Sequence, residues 1–317
     1  MAMMEDLISH KRMDGAGSGS GVQCRGAENA EGRRGFANLR SFCVSAFLSG
    51  PSSSGIPILL CFCFFALVPL RAAAPPIAET AAVVLRTDTG EWLYAKSADK
   101  AMYPASTTKI LTTLVAIESG NLDRTVAVAA SDTRAEPSKV SLRAGQRVPL
   151  RALLYAVMLR SANDAALTVA RAVGGSQAEF AALMNARARK AGATQTRFMN
   201  PHGLHDPRHV TTARDLALIM RAAMANPTFR QITGTKAYAW RYSPAQTLEN
   251  HNKMLKTYAG CVGGKTGYVK ASGKTLVVVA RRGGVELIAV LLNGHGDRIW
   301  QDAAVLLDHG FRAARRE

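Results

Sequence analysis

The 317-residue chain has few acidic residues, few aromatics and, over most of its length, almost no cysteine. Each shortage excludes something. Aspartate and glutamate total 23 against 40 lysines and arginines, a formal net charge of +17. A balance that basic favours polyanionic surroundings, either nucleic acid or an anionic cell envelope. The basic residues are scattered, with no zinc-finger spacing, basic-region heptad or aromatic RNA-binding motif, so nucleic acid is not expected as a partner. Of five cysteines, Cys24, Cys43, Cys61 and Cys63 lie near the N-terminus and only Cys261 lies in the remainder. Removal of the N-terminal segment therefore leaves no internal disulfide. Cys61 and Cys63 stand in an apolar run without histidine or acidic neighbours, which argues against a metal site there. That run, residues 56–70, falls short of the roughly 20 residues that cross a bilayer as a helix.

What is present at the N-terminus fits export. Residues 1–54 are rich in Gly, Ser and Arg without apolar periodicity, and read as disordered. The run 56–70 follows Arg33, Arg34 and Arg40 and precedes Ala72-Ala73-Ala74, the order of a signal peptide. Two features fit less well: the stretch before the run is long for a leader, and Pro75 follows the small residues. A translation start downstream of Met1 accounts for the first. The expected division is a disordered extension plus signal peptide over 1–74 and one catalytic domain over 75–317. Uncleaved, residues 56–70 are the expected membrane anchor.

Beyond residue 75, the short runs 80–86 and 92–95 flank Asp88-Thr89-Gly90 as a hairpin does. Helical spacing covers 106–118, introduced by Pro104 and closed by Gly120, then 149–159, 164–173, 177–191 and 212–225. Strand character appears at 236–241, 275–281 and 285–292, the last two joined through Gly283-Gly284. Residues 299–309 form a closing helix. Strands at both ends with helices between predict an α+β domain: an antiparallel sheet built from both termini around a mainly helical insert.

Three short motifs fall in order: Ser106-Thr107-Thr108-Lys109, Ser161-Ala162-Asn163 and Lys265-Thr266-Gly267. A serine hydroxyl attacks only when a base takes its proton. Positions i and i+3 share a helix face, so Lys109 is the candidate base for Ser106. A lysine base must be neutral, which burial and a second cation promote. Lys265 is the candidate second cation, Ser161 a proton relay, and Asn163 an amide that orients substrate or lysine. On a strand, Lys265-Thr266-Gly267 offers charge, hydroxyl and open backbone to an extended peptide and its carboxylate. Singly, each motif is weak. Ser97-Ala98-Asp99-Lys100 repeats the first spacing and Ser119-Gly120-Asn121 the second. Ser106 alone reads equally well as a helix cap. The ordered set carries the argument. His202, His205 and His209 lie in a Pro/Gly-rich loop rather than at i, i+4 on a helix, so no metal is expected.

The set resembles the penicillin-binding proteins and serine β-lactamases. Its flanks are similar to the low-molecular-mass D-alanyl-D-alanine carboxypeptidases: Tyr103-Pro104-Ala105 before Ser106, Leu159-Arg160 before Ser161, Asn200-Pro201-His202-Gly203-Leu204, Thr212-Ala213-Arg214-Asp215-Leu216, and Gly264 with Tyr268 around Lys265-Thr266-Gly267. The likeness runs from about residue 76 to 312. It implies the β-lactamase-like transpeptidase fold, a catalytic set of Ser106, Lys109, Ser161 and Asn163, and substrate binding by Lys265, Thr266, Gly267, Tyr268 and Arg298. Arg298 matches the family position that helps hold a terminal carboxylate. The resemblance implies an acyl-enzyme on Ser106, an oxyanion hole from the Ser106 and Tyr268 N–H groups, and no cofactor. Implied partners are peptidoglycan stem peptides, with β-lactams as covalent inhibitors, outside the cytoplasm. Val269 departs from the pattern, which commonly has a hydroxylated residue there. The C-terminal β-domain and amphipathic membrane helix of many relatives are not expected here. A D,D-endopeptidase would use the same residues; the intact Ser106, Lys109, Ser161, Asn163 and Lys265 argue against an idle peptidoglycan-binding relative, while Val269 keeps that reading open. A class A β-lactamase would need a glutamate to activate the deacylating water, and none is identifiable.

Overall fold

A computed structural model describes residues 74–315. The expected signal peptide and Cys24, Cys43, Cys61 and Cys63 lie outside the described residues. The chain opens with the hairpin strands β1 (Ala81–Arg86) and β2 (Trp92–Lys96). A 3-10 turn, Ala105–Thr108, leads into α1 (Lys109–Glu118). The insert continues with β3 (Thr125–Ala127), α2 (Ala130–Thr133), β4 (Arg147–Pro149), α3 (Leu150–Leu159), α4 (Asn163–Gly174) and α5 (Gln177–Lys190). It closes with α6 (Ala213–Met224), α7 (Pro227–Gly234), β5 (Ala237–Trp240), β6 (Gln246–Glu249) and α8 (Met254–Thr257). Strands β7 (Cys261–Val269), β8 (Gly273–Arg282) and β9 (Val285–Gly294) and helix α9 (Arg298–Ala313) end the domain.

Five strands form one antiparallel sheet in the order β2-β1-β9-β8-β7. Both ends of the domain meet where Ala81 pairs with Leu292 and Arg86 with Leu287. The expected α+β architecture is thus present, built from both termini. The middle strands are buried on both faces. Val83 and Leu85 pack toward the helical insert, while Ala82 and Val84 pack toward α9. Double burial explains why these strands read as continuous apolar runs rather than alternating ones. Helix α9 covers its face with Ile299, Ala303, Leu306, Leu307 and Phe311. It comes so close that a Cβ on Gly310 would stand 2.8 Å from Val84 Cγ1.

Helix α1 is buried from Lys109 through Ile117. It has no solvent face, so it is a core helix rather than an amphipathic one. Ile110, Leu111 and Leu114 are completely buried, each contributing about 2 kcal/mol of apolar transfer free energy. The same burial takes Lys109, at the helix start, into the core.

Three details depart from the sequence reading. Residues 105–108 are 3-10 rather than the first α-turn. Strand β5 exists but pairs only with β6 in a separate ribbon, outside the five-stranded sheet. Helix α7 carries readable signals, Pro227 in its first turn and Asn226 Oδ1 accepting from Phe229 N–H at 3.1 Å, yet falls outside the predicted helices.

Candidate active site

The nucleophile turn is fixed by its own threonines. Thr107 Oγ1 donates to Pro104 O at 2.7 Å and Thr108 Oγ1 to Ala105 O at 2.8 Å. Thr275 of β8 donates to the same Pro104 carbonyl at 3.0 Å. Ala105 takes a positive φ of 49°, which turns the chain just before Ser106. Ser106 is half-exposed while its neighbours are buried. The turn therefore presents a single hydroxyl to solvent.

One helical turn on, Lys109 Nζ lies 3.0 Å from Ser106 Oγ, 2.7 Å from Asn163 Oδ1 and 2.6 Å from the His202 carbonyl. The Asn163 amide is oriented independently, because its Nδ2 donates to the carbonyls of Glu136 and Pro137 at 2.9 and 3.0 Å. Its oxygen must then face the lysine. Two of the three partners of Lys109 Nζ are pure acceptors, and the third is a hydroxyl that can donate. A neutral amine satisfies all three: it donates two N–H bonds and accepts the Ser106 proton on its lone pair. Burial holds the Lys109 ammonium well below the ordinary lysine range; the nearby Lys265 charge adds to this and Asp164 opposes it.

The His202 carbonyl arrives through the loop Asn200-Pro201-His202-Gly203-Leu204. Asn200 Oδ1 accepts from Gly203 N–H at 2.7 Å, and Asn200 Nδ2 donates to Leu204 O at 3.0 Å, closing the loop on itself. Gly203 has φ +85°, and a Cβ there would collide with the Ala105 carbonyl. The backbone carbonyl that completes the lysine site left no side-chain signal of its own; the flanking Asn, Pro and Gly were the only trace.

The second motif faces the first across the cleft. Asn163 opens α4, and the buried Asp164 accepts N–H bonds from Val140 and Leu142 at 3.2 and 3.1 Å, tying the loop before β4 to the site. Ser161 has φ +58°, and its Oγ is buried without a hydrogen-bond partner. The third motif lies on β7, an edge of the sheet. Lys265 is buried, donates to Thr266 O at 2.9 Å, and is pushed down to about 7 by burial. A Cβ on Gly267 would stand 2.7 Å from Ser106 N and 2.5 Å from Thr275 Oγ1. Only glycine lets this strand edge approach the nucleophile's own N–H.

Ser106, Ser161, Thr266, Gly267 and Tyr268 line one cleft of about 410 Å³, with Lys109, Asn163 and Lys265 behind them. Sequence reasoning missed further lining residues, among them Ser138, His251, Lys274, Ile299 and Trp300, because each is single and belongs to no motif. Arg298 stands at the start of α9, next to the lining residues Ile299 and Trp300. Its side chain is 60% exposed and its Nε lies 3.3 Å from both carboxylate oxygens of the buried Asp302. Val269 stands outside the lining; it ends β7, with its N–H on Ser272 Oγ at 3.2 Å.

The loop histidines serve structure. His209 Nδ1 accepts from Met199 N–H at 3.0 Å and its Nε2 meets Thr108 Oγ1 at 2.9 Å. His202 Nδ1 accepts from Leu204 N–H at 3.2 Å. Burial lowers the two imidazoles to about 4 and about 3, so both are neutral. His205 packs edge-on to Tyr103.

A buried lysine aimed at a serine that opens a central helix, beside a sheet edge free to take a peptide, defines a serine acyl hydrolase of the penicillin-binding class. Residues 69–296 match the D-alanyl-D-alanine carboxypeptidase family of peptidases, and the chain belongs to it. It is similar to the D-alanyl-D-alanine carboxypeptidase DacB2 of Mycobacterium tuberculosis, 40% identical over 236 residues, covering 72% of this chain and 81% of the relative. The crystal structure of a D-alanyl-D-alanine carboxypeptidase from M. tuberculosis H37Rv superposes with a TM-score of 0.73 at 37% identity, covering 77% of this chain and 95% of that one. A Streptomyces DD-transpeptidase gives 0.72 at 32% identity, covering 76% and 99%. The protein is a serine-type D-alanyl-D-alanine carboxypeptidase with the penicillin-binding fold.

Proposed function

We propose that Ser106 is the nucleophile and Lys109 its general base in the removal of the terminal D-alanine from peptidoglycan stem peptides. The observation that carries this is the contact of Lys109 Nζ with Ser106 Oγ at 3.0 Å, with Asn163 and the His202 carbonyl taking the other two positions around the amine. An extended peptide pairs with the free edge of β7. Ser106 Oγ attacks the carbonyl between the two D-alanines as its proton passes to Lys109. The N–H groups of Ser106 and Tyr268 receive the developing oxyanion, a contribution of several kcal/mol in such sites. The departing D-alanine amine takes a proton through Ser161, whose unpartnered hydroxyl gains a partner when the cleft fills. Water then cleaves the ester, with Lys109 again as base. Lys265 and Thr266 supply charge and hydroxyl on the carboxylate side. β-Lactams acylate the same serine. Export directed by residues 56–70 would deliver the domain to its substrate outside the cytoplasm.

The test is to incubate the purified protein with a labelled penicillin and with a pentapeptide ending in D-Ala-D-Ala. The expected result is one covalent label, lost in Ser106→Ala, together with released D-alanine. The absence of both label and release overturns the proposal; label without release points to a cross-link endopeptidase or a binding role.

A further inference from the structure

Two segments beside the cleft carry cations without matching acids. Residues 134–149 contain Arg134, Lys139, Arg143 and Arg147 against a single acid, Glu136. Residues 236–248 contain Lys236 and Arg241 and no acid. The first segment borders the cleft, where Pro137 and Ser138 are lining residues. The second holds the β5-β6 ribbon. Two glutamines stitch the segments together. Gln146 Nε2 donates to Ser243 O at the ribbon's turn, at 3.1 Å, and Gln246 Nε2 donates to Val140 O at 3.4 Å. Lys139, Arg143, Arg147 and Arg241 all lie within three residues of these bonds, so the fold gathers them on one surface.

All four side chains are exposed, and none makes an ion pair among the described residues. Acids close by are already engaged: Asp123 pairs with Arg151 of α3 at 2.8 Å, and Glu249 of β6 with Lys256 at 3.0 Å. The surface therefore keeps an excess of positive charge. Its support is firm. Tyr238 stacks on Tyr155 of α3 with ring centroids 4.1 Å apart, and Trp240 is buried. Alternation along β5 then turns Ala237, Ala239 and, just past its end, Arg241 outward. The two alanines keep that face shallow, open to a chain lying along the ribbon.

We propose that this basic surface, outside the cleft, docks polymeric peptidoglycan by taking the acidic groups of stem peptides that neighbour the one being cut. The assignment rests on the carboxypeptidase reading above. The reaction's own chemistry supplies the charge, because a stem ends in a carboxylate before cutting and after it. A polymer thus offers many carboxylates and a soluble pentapeptide few. Exposed charges act through a field that salt screens, so the surface speeds capture of the polymer and leaves the chemistry at Ser106 alone. An envelope polymer rich in phosphate would compete for the same cations. The border with the cleft at Ser138 favours the substrate itself.

D-alanine release by the purified protein is measured on uncross-linked peptidoglycan stripped of phosphate polymers and on a soluble pentapeptide, at low and at high salt. The combined variant Lys139→Gln, Arg143→Gln, Arg147→Gln, Arg241→Gln should lose about tenfold or more in kcat/KM on the polymer at low salt, mainly through KM. On the pentapeptide it should stay within about twofold. High salt should bring the unaltered protein down to the level of the variant on the polymer. The pair Lys139→Gln, Arg143→Gln should fall between the two. Arg189→Gln with Lys190→Gln, an equal loss of exposed charge at the end of α5, should keep the polymer preference. A combined variant that keeps the preference, or that loses as much on the pentapeptide, overturns the proposal; so does an α5 pair that loses as much as the first pair. A combined variant that still sediments with the stripped polymer but no longer binds polyphosphate overturns it too. Absence of any release by the unaltered protein would refute the carboxypeptidase reading instead, and sedimentation of Ser106→Ala with the polymer would still test the docking surface.

Discussion

Two Ser-x-x-Lys sequences stand nine residues apart on this chain, and only one of them is built into a site. Ser97 and Lys100 lie on the exposed turn that leaves β2, where Lys100 N–H bonds Ser97 O at 3.1 Å and Asp99 is paired to Arg214 at 2.6 Å. Ser106 and Lys109 share the spacing, but Lys109 lies in the core at the head of a helix with no solvent face. Spacing brings a lysine near a serine; burial and hydrogen-bond partners decide whether the amine accepts a proton. Lys100 is exposed on its turn. Around Lys109, water is replaced by two acceptors and one hydroxyl.

The largest effect should come from exchanging the lysines' fates. Lys109→Ala should slow penicillin acylation by about 10²–10⁴-fold, the usual worth of a positioned base, whereas Lys100→Ala should leave it within about twofold. Equal losses in the two variants, measured by stopped-flow or quenched labelling, would erase the distinction. A smaller but still severe effect should follow Gly203→Ala. A Cβ there meets the Ala105 carbonyl, and φ of +85° disfavours any side chain. Both the nucleophile turn and the His202 carbonyl must then shift, and a displacement of about 1 Å can cost around 10²-fold in rate. The strain should also lower stability by about 2 kcal/mol. Unchanged acylation at normal thermal stability would show that the loop does not hold the lysine.

The smallest effect concerns stability far from the nucleophile. Glu79 is buried beside Asp302, and one of its oxygens has no hydrogen-bond partner. Burial raises its carboxyl to about 7, with the Asp302 charge adding to the rise. An acid with a raised folded-state pKa binds more protons folded than unfolded, so stability falls as pH rises from the ordinary carboxylate range, about 4.5, to about 7. Glu79→Gln should remove that slope and raise Tm at pH 8 by about 2–4 °C. A flat pH profile in the unaltered protein would contradict the assignment. The contrast with Lys109 would sharpen: one buried titratable group is retained for chemistry, the other costs stability.

Much of the fold was legible because local signals agreed with the tertiary outcome. Thr212 caps α6 by accepting the Asp215 N–H at 3.0 Å, as the Thr-x-x-Asp order suggests. The first hairpin and β9 were equally plain. What stayed hidden depended on contacts distant in sequence. That β5 joins β6 rather than the main sheet depends on pairing that no local pattern specifies. The acceptor for Lys109 is a main-chain carbonyl of a loop more than ninety residues away. Arg298 was chosen by family position, and its guanidinium also lies 3.3 Å from a buried aspartate one turn along its helix. Lys274 was invisible because its place follows from register with β7, not from neighbours in the chain.

The most direct test is the charge state of Lys109 itself. With lysine side chains isotopically labelled, and Lys109→Arg used to assign the signal, the Nζ and adjacent methylene shifts can be followed by NMR across pH. The account predicts that the Lys109 amine loses its proton well below the range in which an ordinary lysine titrates, because it is buried. A Lys109 signal that remains that of an ammonium up to about pH 10 would contradict it.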